Sequence, residues 1–556
     1  MKKYICFFLA LALLCGCGAQ ENSGENSQAA VSGVHFQLDG EDISFEPWEQ
    51  EGLPMEGSYY LTQDVLLEQP FTITGQLKLH LNGHEIRGAE NTPFGNVITV
   101  AAGGELVLCD APNGEGRVVC PRSFSANMTV GSLIRVAGSM TMAGGTVDAT
   151  SISLEDMANG AGFYVDDGGV LNVCGGTIIG GTTWCSSLTA PVPEETQPAE
   201  GQPAEGQTTE TQPAETQPEE TQPEETQPIE TQPETTQPAG TEDTSGMDYE
   251  VLGKGGSIYV AGGGTCNISG GEIREGSAGL GGNLYVETEG LVTMTGGTIA
   301  DGESVFHGGN VYICGTMEIS GGEFLRGGAY NNGGNFFVEG TLEMTGGEIA
   351  EGTCDVNGMG SKRGGNMLVS GENAIVHISN AEIRDGSASG GEGFGGNISV
   401  IGWGAKEMII RDSVISGGIG HRAGNLYIGT IKKTISDENL DYQLINVTLK
   451  DGISSYRGSN ICIDSDVNTK TIVLNMENCD LIDSENTTRD NLSVGAGSAD
   501  QTWCEVIMTG GSIQGGTLTI YGLATVTTYG TKLDKTEHAY SGTLIMDPDE
   551  SASETE

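Results

Sequence analysis

The sequence predicts an all-β chain: a single right-handed parallel β-helix solenoid of roughly fifteen coils, interrupted by one disordered Glu-Thr-Gln-Pro loop. Three observations carry this. Glycine accounts for 89 of 556 residues, while ten of the 17 prolines fall between Pro191 and Pro238, so the glycine excess belongs to the folded part. A hexapeptide recurs as GGSIYV, GGNLYV, GGNVYI, GGNFFV, GGNMLV, GGNISV, AGNLYI, GSNICI and RDNLSV, at spacings of 26, 27, 25, 31, 31, 28, 35 and 31 residues. One and three residues after its key position the side chain is always apolar, the period-two mark of a strand with one buried face.

The elements follow in chain order. Residues 1–16, two lysines and then ICFFLALALL, form a signal peptide, too short for a membrane span. Leu14-Cys15-Gly16-Cys17 resembles the lipobox of bacterial lipoproteins, which implies lipidation at Cys17, a flexible tether over 17–33, and a membrane-held protein facing outside the bacterial cell envelope. Residues 34–57, with Trp48, are expected to cap the stack. Residues 58–189 form the first part of the solenoid and 247–545 the continuation, each coil reading as three short strands joined by glycine corners. Between them, 190–246 carries fourteen acidic and no basic residues. It has almost nothing to bury and is expected to stay extended and hydrated. From Gly162 to Ser257 is 95 residues, and removing the 57 of this insert leaves about one coil, so one solenoid continues through it. The acidic tail, 546–556, is expected to be disordered.

Net charge is −52, which disfavours nucleic acid as a partner. Thirteen cysteines contain no CxxC pair in the body, so neither a zinc site nor a disulfide framework is indicated, and Cys174, Cys314 and Cys462 read as buried free thiols.

GSYYLTQDVLLEQPFTITGQLKLHLNGHEIRG, followed by VITVAAGGELVLCDAPNGEGRV, resembles the opening of clostridial-type cell-surface β-helix repeat proteins, with adhesin-like coils of the MTGGTI and GGNLYV kind. The likeness spans nearly all of Trp48 to Gly530. It implies a pectin-lyase-like fold and carries over no catalytic residue.

Because coils superimpose, equivalent positions form rows. The key positions, Asn283, Asn310, Asn335, Asn366, Asn397, Asn425, Asn460 and Asn491 after Ser257, predict a structural amide ladder. Two residues after the third strand's apolar residue stand Glu275, Asp301, Glu351, Asp385, Asp451 and Asp483, interrupted by Arg326 and Gly417. Three residues before the key position stand Lys254, His307, Arg363, Arg422 and Arg457, with Leu280, Asn332 and Phe394 between them and Arg489 one place displaced. Either the two rows pin each corner loop by exposed ion pairs, or they form an edge. In the second case the edge binds an anionic or hydroxyl-rich glycan through the basic row, or calcium through the acidic row.

The expected function is an adhesin-like or glycan-binding surface rod without covalent chemistry, its partners a glycan or a host or cell-surface protein, with no cofactor beyond possible calcium. A carbohydrate-active enzyme, polysaccharide lyase or glycoside hydrolase, is the alternative, with Asp385, Arg363 and Arg422, or Asp166 and Asp167, as available pieces. A purely structural spacer is the third.

Overall fold

The computed structural model describes residues 34–547 except 90–95, 113, 120–130, 153–158, 184–252, 355–361, 390–392, 403, 432–439, 465–471, 485–489, 496–503, 535–538 and 541. Residues 1–33, where the signal peptide, Cys17 and the tether are expected, the acidic insert, Arg489, Trp403 and tail residues 548–556 lie outside the described residues. Strands on either side of the insert belong to one unit, and Phe163–Val165 pairs directly with Ile258–Val260.

Every ladder beyond the first hairpin is parallel, as a solenoid of stacked coils requires. The coil beginning at Leu284 shows how. Leu284–Val286 enters a fifteen-stranded sheet, one strand per coil, in register with Val311, Phe336 and Met367 of the next three. Leu291–Met294 and Thr298–Ala300 enter a second sheet of 31 strands. Alternate residues, among them Leu284, Val286, Val292, Met294 and Ile299, are fully buried. They join one continuous core running from Leu53 to Val526. Each such side chain contributes roughly 1.5–3 kcal/mol, but only because a neighbouring coil covers it.

Glycine makes the return corner possible. Gly308 has φ +67°, and a Cβ there would sit 2.3 Å from the Val311 carbonyl oxygen; one on Gly309 would sit 2.1 Å from the Gly334 oxygen. This explains the repeated Gly-Gly before the key residue.

The structure departs from three strands per coil. From Ser277 to Arg457 each coil adds a fourth, for example Glu303–His307 and Ile453–Arg457, and these form a seven-stranded sheet. Its inward residues are Ala278, Ser304, Ala329, Cys354, Ala388, Gly420 and Ser454, too small to give a period-two hydrophobic signal. The fourth strands lead into a segment that folds against the outer face of the fifteen-stranded sheet. A second apolar layer results, containing Tyr259, Leu280, Tyr285, Phe306, Tyr312 and Phe337.

At the start, Val34–Leu38 and Glu41–Trp48 form an antiparallel hairpin turning at Asp39-Gly40, both at positive φ. Glu46–Trp48 then pairs in parallel with Tyr59–Leu61, and Phe36, Ile43 and Phe45 pack on Cys109 and Ala143 of the outer face.

Two of the cysteine readings need correction. Cys174 is half-buried and disulfide-bonded, and Cys314 is only partly covered; Cys462 is a buried free thiol.

Candidate functional site

The Asn row lies in one register column at the return corner, and every member is fully buried. Nδ2 of each donates to Oδ1 of the next: Asn283 to Asn310 at 2.8 Å, Asn310 to Asn335 at 2.6 Å, Asn335 to Asn366 at 2.8 Å, Asn366 to Asn397 at 2.7 Å. The chain of amides continues through Asn425 and Asn460 to Asn491, and Ser257 Oγ feeds its first member. The remaining valences go to the backbone. Asn335 Oδ1 accepts from Gly327 N at 3.0 Å, and its Nδ2 donates to the Ala350 oxygen at 2.8 Å. All four valences of such an amide are filled, which is what permits its burial.

This ladder explains the acidic row. The carbonyl held by Asn283 belongs to Ala300, and the N–H held by Asn310 belongs to Gly302. Between them Asp301 is forced to φ 55°. Glu275, Arg326, Glu351, Asp385 and Asp451 adopt φ between 51° and 59° at the equivalent place, and Gly417 takes 66°. These residues share a left-handed corner, where glycine, aspartate and asparagine are the residues least penalised. Asp483 departs from the pattern: it is buried and accepts from Ser459 Oγ at 2.8 Å.

Among the described residues, several acids of the row take cations from beside them. Asp301 takes a bidentate pair from Arg326 at 2.7 and 2.8 Å, Glu275 pairs with Arg274, and Glu351 and Asp385 both pair with Arg384. Arg274 and Arg384 end third strands and Arg326 stands in the row itself, so these pairs run along the row.

The basic row is a true register column, with Lys254, Leu280, His307, Asn332, Arg363, Phe394, Arg422 and Arg457 stacked coil on coil. His307 is buried in it, and Lys254, Arg363, Arg422 and Arg457 are half-buried. Beside it runs an aromatic column on the outer face of the fifteen-stranded sheet: Tyr164, Tyr259, Tyr285, Tyr312 and Phe337, with centroids 4.7–5.7 Å apart. Lys254 Nζ lies 4.7 Å from the Tyr285 ring centre, His307 stacks on Phe337 at 4.6 Å, and Arg422 covers Phe394 at 5.4 Å. Burial of His307, reinforced by the nearby Arg363 charge, pushes its imidazole down to about 3.

Carboxylates close the other side of this seam. Glu287 accepts from Lys254 Nζ at 3.0 Å and from the Tyr259 hydroxyl at 2.9 Å. Burial raises its carboxyl, but the Lys254 charge and these hydrogen bonds outweigh that and leave it below its ordinary value. For Glu339 burial dominates and holds its carboxyl above the usual range, and Cys314 Sγ lies 3.6 Å away. Burial also pushes the Cys314 thiol up to about 12.

Asp166, an available piece for catalysis, is instead held by a bidentate pair from Arg135 at 2.6 and 2.7 Å. Asp385 is engaged by Arg384, its chain neighbour, while Arg422 is engaged by buried Asp464. Among the described residues, no group of three or more His, Cys, Asp or Glu side chains is arranged to hold a metal ion.

Two surface features escaped the sequence reading. One is an open trough of about 830 Å³ at the Thr-Gly-Gly corners, lined by Glu323, Glu348, Glu382 and Asp412. The other is a stack at the end of the seven-stranded sheet. There His421 and Tyr456 lie parallel at 5.2 Å and 6°, and Arg457 sits 4.7 Å from Tyr456 and 4.2 Å from Tyr521. The aromatic column itself was signalled by the middle residue of GGSIYV, GGNLYV, GGNVYI and GGNFFV.

No known protein family, curated protein or solved structure matches this chain.

Proposed function

We propose that the protein is an adhesin-like, glycan-binding β-helix rod of the bacterial cell envelope, anchored by lipid at Cys17 and acting without covalent chemistry. The supporting observation is repetition: each coil offers equivalent outward residues in fixed register, so a surface feature recurs along the stack instead of converging on one centre. That arrangement suits many weak contacts with an extended or multivalent partner. Three ionisable groups strongly perturbed by burial, His307, Tyr285 and Tyr312, lie in the aromatic seam. The lipobox and the clostridial-type repeat likeness support the envelope location.

The test is a glycan array probed with the full-length chain, with calcium and with chelator, followed by product analysis on any hit. Binding without cleavage is the expected result. Silence across the array favours a spacer or a protein ligand. Labelled palmitate should enter the wild-type protein in bacterial cells and not the Cys17→Ala variant.

The trough favours a second reading, a carbohydrate-active enzyme, because glycoside hydrolysis needs two carboxylates along an open groove. Release of shortened saccharides, abolished by Glu382→Gln, would establish it.

A further inference from the structure

Eight of the described cations pair with carboxylates, Arg87 and Arg117 both through Glu85. Arg274, Arg326 and Arg384 pair with corner carboxylates, Arg135 with Asp166, Lys254 with Glu287 and Arg422 with Asp464. Arg457 differs. Among the described residues it has no carboxylate partner, and its guanidinium lies against the rings of Tyr456 and Tyr521 at 4.7 and 4.2 Å. A guanidinium packed on rings keeps the N–H fork at its edge, and that fork fits a carboxylate in bidentate fashion.

The surroundings fix the rest of the ligand. Tyr456 is 49% exposed, and next to it Ile453 and Ile419, paired in register, are 57% and 40% exposed. His421 stacks on Tyr456 and exchanges a hydrogen bond of 2.7 Å with Ser455 Oγ. The patch is therefore aromatic and apolar with hydroxyl and imidazole groups at its rim. A sugar has the matching surface, with C–H faces for the ring and isoleucines and hydroxyls for the rim. Two described acids whose charge reaches this corner are already engaged: Asp464 by Arg422, and Asp490 by the hydroxyls of Thr517 and Thr519 at 3.1 and 2.5 Å.

We propose that His421, Tyr456 and Arg457 form a subsite for a saccharide bearing a single carboxylate, the acid on Arg457 and the sugar against Tyr456 and Ile453. A polyanion is disfavoured, because the chain's net charge of −52 repels every charge beyond the one that Arg457 neutralises. This rests on the glycan-binding reading and specifies its ligand class and place.

The experiment is calorimetric titration of the full-length chain with sialyllactose, lactose and a heparin octasaccharide. Sialyllactose should bind about tenfold or more tightly than lactose, and heparin no more tightly than sialyllactose. Arg457→Met, which keeps the packed stem but loses the fork, should weaken sialyllactose about tenfold or more. Tyr456→Ala should weaken both sugars, and Arg326→Met, at a remote corner, should change nothing. Near-ultraviolet circular dichroism establishes that each variant is folded. Equal binding of lactose and sialyllactose, an unaffected Arg457→Met variant, or no sialyllactose binding at millimolar concentration overturns the subsite. If the array still shows other glycans bound, the wider reading survives that failure; an empty array overturns both.

Discussion

The coils before the insert and those after it solve the same corner differently. Residues Val97 and Leu133 occupy the key register position in the first part, both buried and apolar; in the second part the position is asparagine from Asn283 to Asn491. An apolar corner needs only to be covered. An amide corner needs the coil below for one bond, the coil above for another, and the backbone of two corners for the rest. Among the described residues the seven-stranded sheet occurs only alongside the amides, from Ser277 to Arg457. The amide ladder and the fourth strand thus run side by side over this stretch.

The comparison breaks most directly at Asn335. Asn335→Leu orphans the Gly327 N–H, the Ala350 oxygen and the facing atoms of Asn310 and Asn366, each costing about 1–3 kcal/mol before relaxation. We expect a loss of about 4 kcal/mol or more in chemical denaturation. The converse change, Leu133→Asn, strands an amide among apolar neighbours and should cost about as much. Tolerance of either change within about 1 kcal/mol would show that the two corners are interchangeable.

Acidification gives the next effect. His307 in the second part has a folded pKa of about 3, below its ordinary 6.5, so between those values the unfolded chain binds a proton that the folded chain refuses. The contribution is intact above pH 6.5 and shrinks as pH falls toward 3, by up to about 2 kcal/mol at pH 5. His80 in the first part shifts the same way through burial, with Asp110 opposing, while Glu339, raised by burial, acts in the reverse sense. His307→Asn should flatten the pH dependence of the unfolding midpoint between pH 5 and 6.5; an unchanged slope would mean that the seam admits the proton.

Smaller effects sharpen the account of the corner. Glu351→Gly removes a side chain from φ 58° and should stabilise by about 0.5–1 kcal/mol, despite losing contact with Arg384. Arg326→Ala breaks an exposed bidentate pair and should cost under about 1 kcal/mol, less at high salt. A larger loss at Arg326 than at Asn335 would invert the ranking of ladder over charge.

The parallel stack and its register were legible because strand periodicity and glycine spacing act within a few residues. The Asn, acidic and basic positions were legible as columns for the same reason. Their environments were not. Glu351 and Asn335 recur with equal regularity, yet one is exposed at a strained corner and the other is sealed, a difference set by the neighbouring coil. The fourth strand stayed hidden because Ser304 and Ala329 face inward without bulk. The stack of His421, Tyr456, Arg457 and Tyr521 was equally invisible, since it joins positions as far apart as 421 and 521.

The unbroken amide column has an evolutionary consequence. Residues 310–334 run from one key asparagine to the residue before the next. Excising them joins Gly309 to Asn335 and brings Asn283 against Asn335, the same pair of groups that meet at every other step. Gain or loss of a whole coil therefore leaves no mismatched joint in the amide column. Unequal recombination between such repeats can lengthen or shorten the stack in increments of about 4.8 Å, making length a heritable quantity that selection adjusts without redesigning the fold.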